Sequence, residues 1–373
     1  MWNILCLFLI GLSCVLCFKL RFKQFCFYEI RGNKSSLMLS LATRIGVGSI
    51  IGTVSCIMIG GFGSIFWLIL FSILSTSIIY YESYYGNKFK GVFNMLFKVF
   101  NNKIVFLFGL MFLVVYSFLF QMIQVNTISN MIVNNMFINK NIIFIVILLL
   151  LSLLTILNSF EILNVLNKIV PFMCLFFIII CLYGIICNID VFNFEISFSF
   201  RSIFSGFSIG IRRSIFMNEL LIGTSSESSS LDKDYRVSVM YQVISSLFVS
   251  VVISILVASL IFIYSKSYVL EGDYILLINN VFTFLYGSSG SFILSIIFIL
   301  FGITTIISGY YYGKNICEYF SLNSLIFKIM FVLIVSLSLF FEISFLFDIC
   351  DFIIFFMIII NSYSIIKLIR RHL

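Results

Sequence analysis

The chain has 373 residues, of which 62% are apolar and 10% charged, with 47 Phe, a single Pro and a formal net charge of +8. A soluble domain of this length shows polar residues along every helix, whereas here apolar runs, each about 20 residues long and enough to cross a bilayer, follow one another almost to the end. The basic residues gather on no soluble, aromatic-interleaved face, which excludes nucleic acid as a partner, and the absence of short alternating segments excludes a strand barrel.

Taken in order, eleven candidate spans cover residues 2–20, 37–60, 63–85, 104–133, 141–158, 163–187, 202–222, 236–264, 290–312, 324–341 and 346–368. The first lacks a basic start and a small-residue cleavage site, so it reads as a retained helix and not a signal peptide. Its Cys14 and Cys17 have no partners at zinc or redox spacing, and the ten Cys read as buried thiols. With the N-terminus outside and the C-terminus cytoplasmic, eighteen Lys and Arg, Arg31 among them, fall on the cytoplasmic side. Only Lys140, Arg201 and Lys266 fall outside. The connector 87–103 is basic and amphipathic and reads as a helix on the cytoplasmic membrane face, while 264–284 reads as a surface helix or lid. The serine-rich stretch Thr224 to Asp234 reads as a mobile polar loop. Heavy use of Phe, Ile, Asn and Lys fits an AT-rich genome, and the whole describes one multi-pass domain of a bacterial plasma membrane.

Two spans carry glycine and polar residues at bilayer depth: Arg44 to Gly52 in 37–60, and Gly206 to Gly223 in 202–222. Each opens a five-span set, 37–187 and 202–368, and because five is odd the second set enters from the opposite side, an inverted repeat behind one extra N-terminal helix. In that plan two interrupted helices hold solute near the midplane, their freed N–H groups taking an anion and their freed carbonyls a cation. The alternative is close helix packing at Gly46, Gly48 and Gly52. Arg212, Arg213, Asn218 and Glu219 are charged or polar groups within a span, where mutual pairing or a gating role lowers the cost of burial. Glu82, Asp348 and Asp351 read as interfacial, and His372 as terminal and solvated.

The run Ser40 to Trp67, SLATRIGVGSIIGTVSCIMIGGFGSIFW, resembles the signature of the alanine or glycine:cation symporter family. Five further matches follow in the family's order: Gln124 to Asn126, Val170 to Met173, Gly210 to Glu219 leading to Gly223, Phe301 to Thr305 leading to Lys314 and Tyr319, and Asp348 to Asn361. The resemblance implies an all-α, polytopic, 5+5 inverted-repeat bundle like that of the bacterial leucine transporter. It also implies symport of a small neutral amino acid, alanine or glycine, with sodium or a proton, and no cofactor beyond the coupling ion. It assigns Gly46, Val47, Gly48, Ser49, Gln124, Ile209 and Gly210 to the substrate, and Thr304 and Thr305 with carbonyls near Ala42, Ile45 and Phe301 to sodium. For Gln124 an interhelical hydrogen bond, and for the threonine pair back-bonding to the preceding turn, are the competing roles.

The departures from the family pattern are specific. Val47 and Ser49 replace its Thr and Asn, Phe62 replaces a Pro, and Leu220 and Leu221 replace an Ala-Gly pair. They leave two readings: a secondary symporter working by alternating access, or a non-transporting sensor or structural protein on the same scaffold. A membrane enzyme is excluded, because the sole His is terminal and no paired carboxylates lie with a nucleophile in one span.

Overall fold

In a membrane every backbone N–H and C=O must find a partner inside the protein, and helices satisfy them within one segment. The computed structural model describes residues 2–26, 34–136, 139–191 and 204–371, and every long element among them is helical. Arg31, Arg201, His372 and the start of the 202–222 span lie outside the described residues.

Helix α1 (Trp2–Leu20) packs on α4 (Gly63–Phe89). Between them in sequence, α2 (Ser35–Arg44) and α3 (Val47–Gly60) are apolar helices bent by 42° at a short break. A six-residue α5 (Val92–Phe97) follows, burying Val92, Phe93, Met95 and Leu96. Then come α6 (Asn102–Phe112) and α7 (Phe120–Met136), joined through a π turn at Leu113–Leu119, and α8 (Lys140–Leu154) and α9 (Ser159–Ile186). The second half runs α10 (Phe207–Asn218), α11 (Thr224–Ser229), α12 (Tyr235–Leu247) and, after a π turn, α13 (Ser254–Ser265). It closes with α14 (Tyr274–Tyr286), α15 (Gly290–Tyr319), α16 (Ser324–Ser336) and α17 (Ile343–Arg371).

Among the described residues seven helical stretches are long and apolar enough to cross a bilayer, or eight where the bent α2–α3 pair counts as one span. Helix α8 and the stretch Ser324–Phe340 are apolar but shorter, and α10 is described for only 12 residues. Burial is arranged inside out. Leu149, Leu153, Phe172, Leu175 and Ile179 of α8 and α9 face outward, whereas Ser72, Ser75, Thr76, Ser77, Ser245 and Ser246 are fully buried. A lipid-facing surface wants the first pattern, and close interhelical packing in lipid wants the second.

Two expectations are corrected. The serine-rich stretch is no mobile loop at its start: α11 is a helix whose Thr224, Ser225, Ser226, Ser228 and Ser229 are buried. Small side chains let it press onto α4, where a Cβ on Gly86 would fall 2.3 Å from the Ser226 Cα. Its hydroxyls bond backbone carbonyls, Ser226 that of Glu82 and Ser229 that of Ser83, both at 2.9 Å. Glu82 is likewise no interfacial residue, being completely buried within α4.

Candidate functional site

The first helix break lies at Ile45 and Gly46. Helix α2 ends there on unpaired carbonyls and α3 begins on unpaired N–H groups, since the end turns of any helix lack internal partners. Side chains from α7 and α15 meet both sets. Gln124 of α7 accepts the Val47 N–H through its Oε1 at 2.7 Å. Thr305 of α15 has its Oγ1 3.0 Å from the Ala42 carbonyl, 3.4 Å from that of Ile45 and 2.9 Å from that of Phe301. A Cβ on Gly46 would lie 2.9 Å from both Gln124 Nε2 and Thr305 Oγ1, so any larger residue here would displace these two side chains from the break.

The oxygen set at Thr305 has a chemical consequence. A hydroxyl carries one proton, so it serves one carbonyl at a time, while three carbonyls and the hydroxyl oxygen converge. Two of those carbonyls belong to the negative end of the α2 dipole. Four hard neutral oxygens at a helix C-terminus suit an alkali cation. The structure brings Ala42, Ile45, Phe301 and Thr305 together at this point.

Thr304 is not. Its Oγ1 bonds back to Leu300 and Phe301 carbonyls at 3.2 and 3.0 Å and meets the Met173 sulfur at 3.2 Å, on the side of α9. Consecutive helical residues point about 100° apart, so only one of the pair can face the break. Ser49 also turns inward, its Oγ donating to the Gly46 carbonyl at 2.7 Å, while the Phe216 ring covers Gly48. Ile209 and Gly210 sit in the first turn of α10, where Gly210 packs against Ser64 and Trp67 of α4. They do not reach the break, because α10 stays helical as far as Asn218.

The second break follows α10. Glu219 (φ 51°), Leu221 (φ 63°) and Gly223 (φ 112°) adopt left-handed conformations before α11 begins. For a non-glycine residue that conformation costs about 1–3 kcal/mol and persists only when neighbours hold it. Leu221 is held on both sides: Glu82 Oε2 accepts its N–H at 3.2 Å, and Asn361 of α17 donates to its carbonyl at 3.1 Å. Asn361 also donates to Glu82 Oε1 at 3.1 Å.

Arg44, the last residue of α2, is 3% exposed and joins the two breaks. It donates to the Asn218 carbonyl (3.1 Å), Ser225 Oγ (2.7 Å), Ser40 Oγ (2.6 Å) and the Gln242 carbonyl (3.0 Å), and also to Ser245 Oγ. Asn218 in turn binds Ser72, Ser214 and Ser246. Glu219 accepts from the Tyr116 hydroxyl at 2.9 Å. The expected pairing among Arg212, Arg213 and Glu219 does not occur, because neighbours along one helix face different sides. Arg212 pairs with Asp351 of α17, which is buried and not interfacial, and stacks on Trp2. Arg213 lies over Phe347. Arg44, Glu82, Asn361 and Tyr116 were missed as site residues. The signal for Glu82 was a carboxylate inside an apolar span, which is by itself a functional flag.

Comparison with known proteins gives a consistent result. The profile described as the sodium:alanine symporter family matches residues 1–372. The amino-acid carrier protein AlsT of Bacillus subtilis is 22% identical over 355 residues, covering 85% of this chain and 76% of its own. The probable sodium/glutamine symporter GlnT of the same species is 22% identical over 357 residues, covering 88% of this chain and 74% of its own. The putative sodium/proton-dependent alanine carrier protein YrbD, also from Bacillus subtilis, is 26% identical over 210 residues, covering 51% and 43%.

Proposed function

Because the chain belongs to the sodium:alanine symporter family, a family of transporters and not enzymes, we propose that it carries a small neutral amino acid across the plasma membrane with sodium, by alternating access. The observation that carries this reading is the Thr305 hydroxyl set among the Ala42, Ile45 and Phe301 carbonyls at the α2–α3 break. Sodium would sit there as co-transported substrate, held by those four oxygens. The amino acid would take the adjoining segment Gly46, Val47, Gly48 and Ser49, its carboxylate competing with Gln124 for the Val47 N–H. The Val47 and Ser49 side chains then set a preference for a small apolar solute such as alanine or glycine.

The mechanism follows from shared contacts. α2 and α3 with α10 and α11 form one interrupted pair, tied by Arg44, and rock against α7, α9, α15 and α17. The eleven spans, the five-plus-five inverted arrangement and the outside N-terminus complete the proposal, supported by the paired breaks and the basic-residue bias. Uptake of labelled alanine and glycine into proteoliposomes tests it. Uptake driven by an inward sodium gradient is expected; uptake unchanged without any sodium or proton gradient overturns the coupling, and a lack of amino-acid binding with or without sodium favours the non-transporting scaffold.

A further inference from the structure

At the end of the bundle where α3 finishes and α17 begins, a cavity of ≈ 420 Å³ opens between Ile59, Tyr274 of α14, and Ser344, Phe347 and Asp348 of α17. Its volume falls in the range of about 300–1,000 Å³ common to small-molecule sites. Arg213 forms part of the wall, although the residue is only 5% exposed. Its guanidinium carbon lies 4.7 Å from the Phe347 ring centroid. Two of its nitrogens, Nε and Nη1, are buried and make no hydrogen bond among the described residues.

This arginine differs from the other buried one and from its half-buried neighbour. Arg44 spends its guanidinium on Asn218, Ser225, Ser40, Gln242 and Ser245. Arg212, the next residue along and also in the cavity wall, leaves its Nε unpartnered but has its charge paired with Asp351. A buried cation with unused donors is costly, and an aromatic face returns only part of that cost. The wall does contain one further acid, Asp348, but it is exposed and so remains solvated. What is missing at Arg213 is an anionic acceptor of several hydrogen bonds, and a carboxylate matches a guanidinium best in shape and charge.

The geometry points to a second binding site in this cavity for a zwitterionic α-amino acid, its carboxylate on the unused N–H groups of Arg213 and its ammonium facing Asp348. The site is separate from the α2–α3 break: none of its wall residues belongs to the Ala42, Gly46, Gln124 or Thr305 cluster, and Ile209, the one wall residue the family resemblance gave to the substrate, packs against Gly60 at the other end of α3. Only the identity of the ligand as an amino acid rests on the transport reading; the demand for a carboxylate at Arg213 stands without it. In the proposed orientation the cavity faces outward, where a solute would meet it before the break.

Equilibrium binding of labelled alanine to the purified full chain tests this, in sodium chloride and in choline chloride. A sodium-independent component is expected in choline. Propionate, a carboxylate without an amine, competes for it, and alaninamide, an amine without a carboxylate, competes far less. Arg213→Gln weakens that component about tenfold or more, Arg213→Lys retains part of it, and the surface change Asp348→Asn removes the preference for alanine over propionate. The sodium-dependent component survives in all three variants. Wild-type protein with no sodium-independent component, or Arg213→Gln binding indistinguishable from wild type in choline, overturns the site. A sodium-independent component without any sodium-dependent one upholds this site and overturns the transport reading.

Discussion

The Nε of Arg44 lies 3.1 Å from the carbonyl oxygen of Asn218, so the last residue of α2 carries the last helical carbonyl of α10. The two interrupted helices therefore share one cation, and neither break can open without re-partnering the other. Arg44→Gln leaves the Asn218 and Gln242 carbonyls without this donor, each at a cost of about 1–3 kcal/mol. The variant is expected to unfold at lower temperature in detergent and to lose most uptake. Arg44→Lys keeps the charge but not the fork of donors, and should fall between the two. Melting curves and alanine uptake on the same preparations check this; wild-type behaviour of Arg44→Gln would show that the breaks are not joined through it.

The adjacent threonines offer an internal control. Thr305 faces three carbonyls across the break, whereas Thr304 bonds along its own helix and to Met173. Thr305→Ala should raise the sodium concentration for half-maximal uptake by about tenfold, the equivalent of roughly 1.4 kcal/mol. Thr305→Ser, which keeps the oxygen, should stay near wild type, as should Thr304→Ala. The sodium titration of uptake distinguishes them, and an unshifted Thr305→Ala curve removes the ion site from this position.

The all-helical character was legible because lipid permits few alternatives, and the first break because Gly46-Val47-Gly48 stands out in an apolar run. Convergence of Gln124 and Thr305 on that break was legible only through the family resemblance, since their partners lie far away in sequence. Other features escaped for identifiable reasons. Serine-rich sequence reads as solvated loop, yet in α11 the same small side chains allow contact with Gly86. The choice of Asp351 as the partner of Arg212 is made by the packing of α10 against α17, which no local pattern encodes.

That helix contact is itself testable. A methyl group on Gly86 would fall 2.3 Å from Ser226 Cα and 2.8 Å from its carbonyl oxygen, both backbone atoms that cannot step aside. Gly86→Ala should push α11 off α4, at an overpacking cost of about 1–3 kcal/mol, and so move Ser225 away from Arg44. Gly11→Ala, which meets no atom within 4 Å, should be silent. Comparing melting temperature and uptake for the two separates helix packing from a general intolerance of glycine replacement.

Leu221 sits at φ 63° in the second break, with its N–H taken by Glu82 and its carbonyl by Asn361. Because Asn361 also donates to Glu82, the three residues form a closed ring of hydrogen bonds, and removing any member should free the strained backbone. Glu82→Ala strips the acceptor from the Leu221 N–H and leaves the Asn361 amide with only one of its two acceptors; Asn361→Ala strips the donor from the Leu221 carbonyl and from Glu82. If the ring acts as a unit, the double variant is little worse than the poorer single one, with a coupling of about 0.5–3 kcal/mol. A denaturant-melt double-mutant cycle in detergent measures that coupling. Strictly additive losses would mean that each side chain stabilises its own helix and that the left-handed turn at Leu221 is held by packing alone.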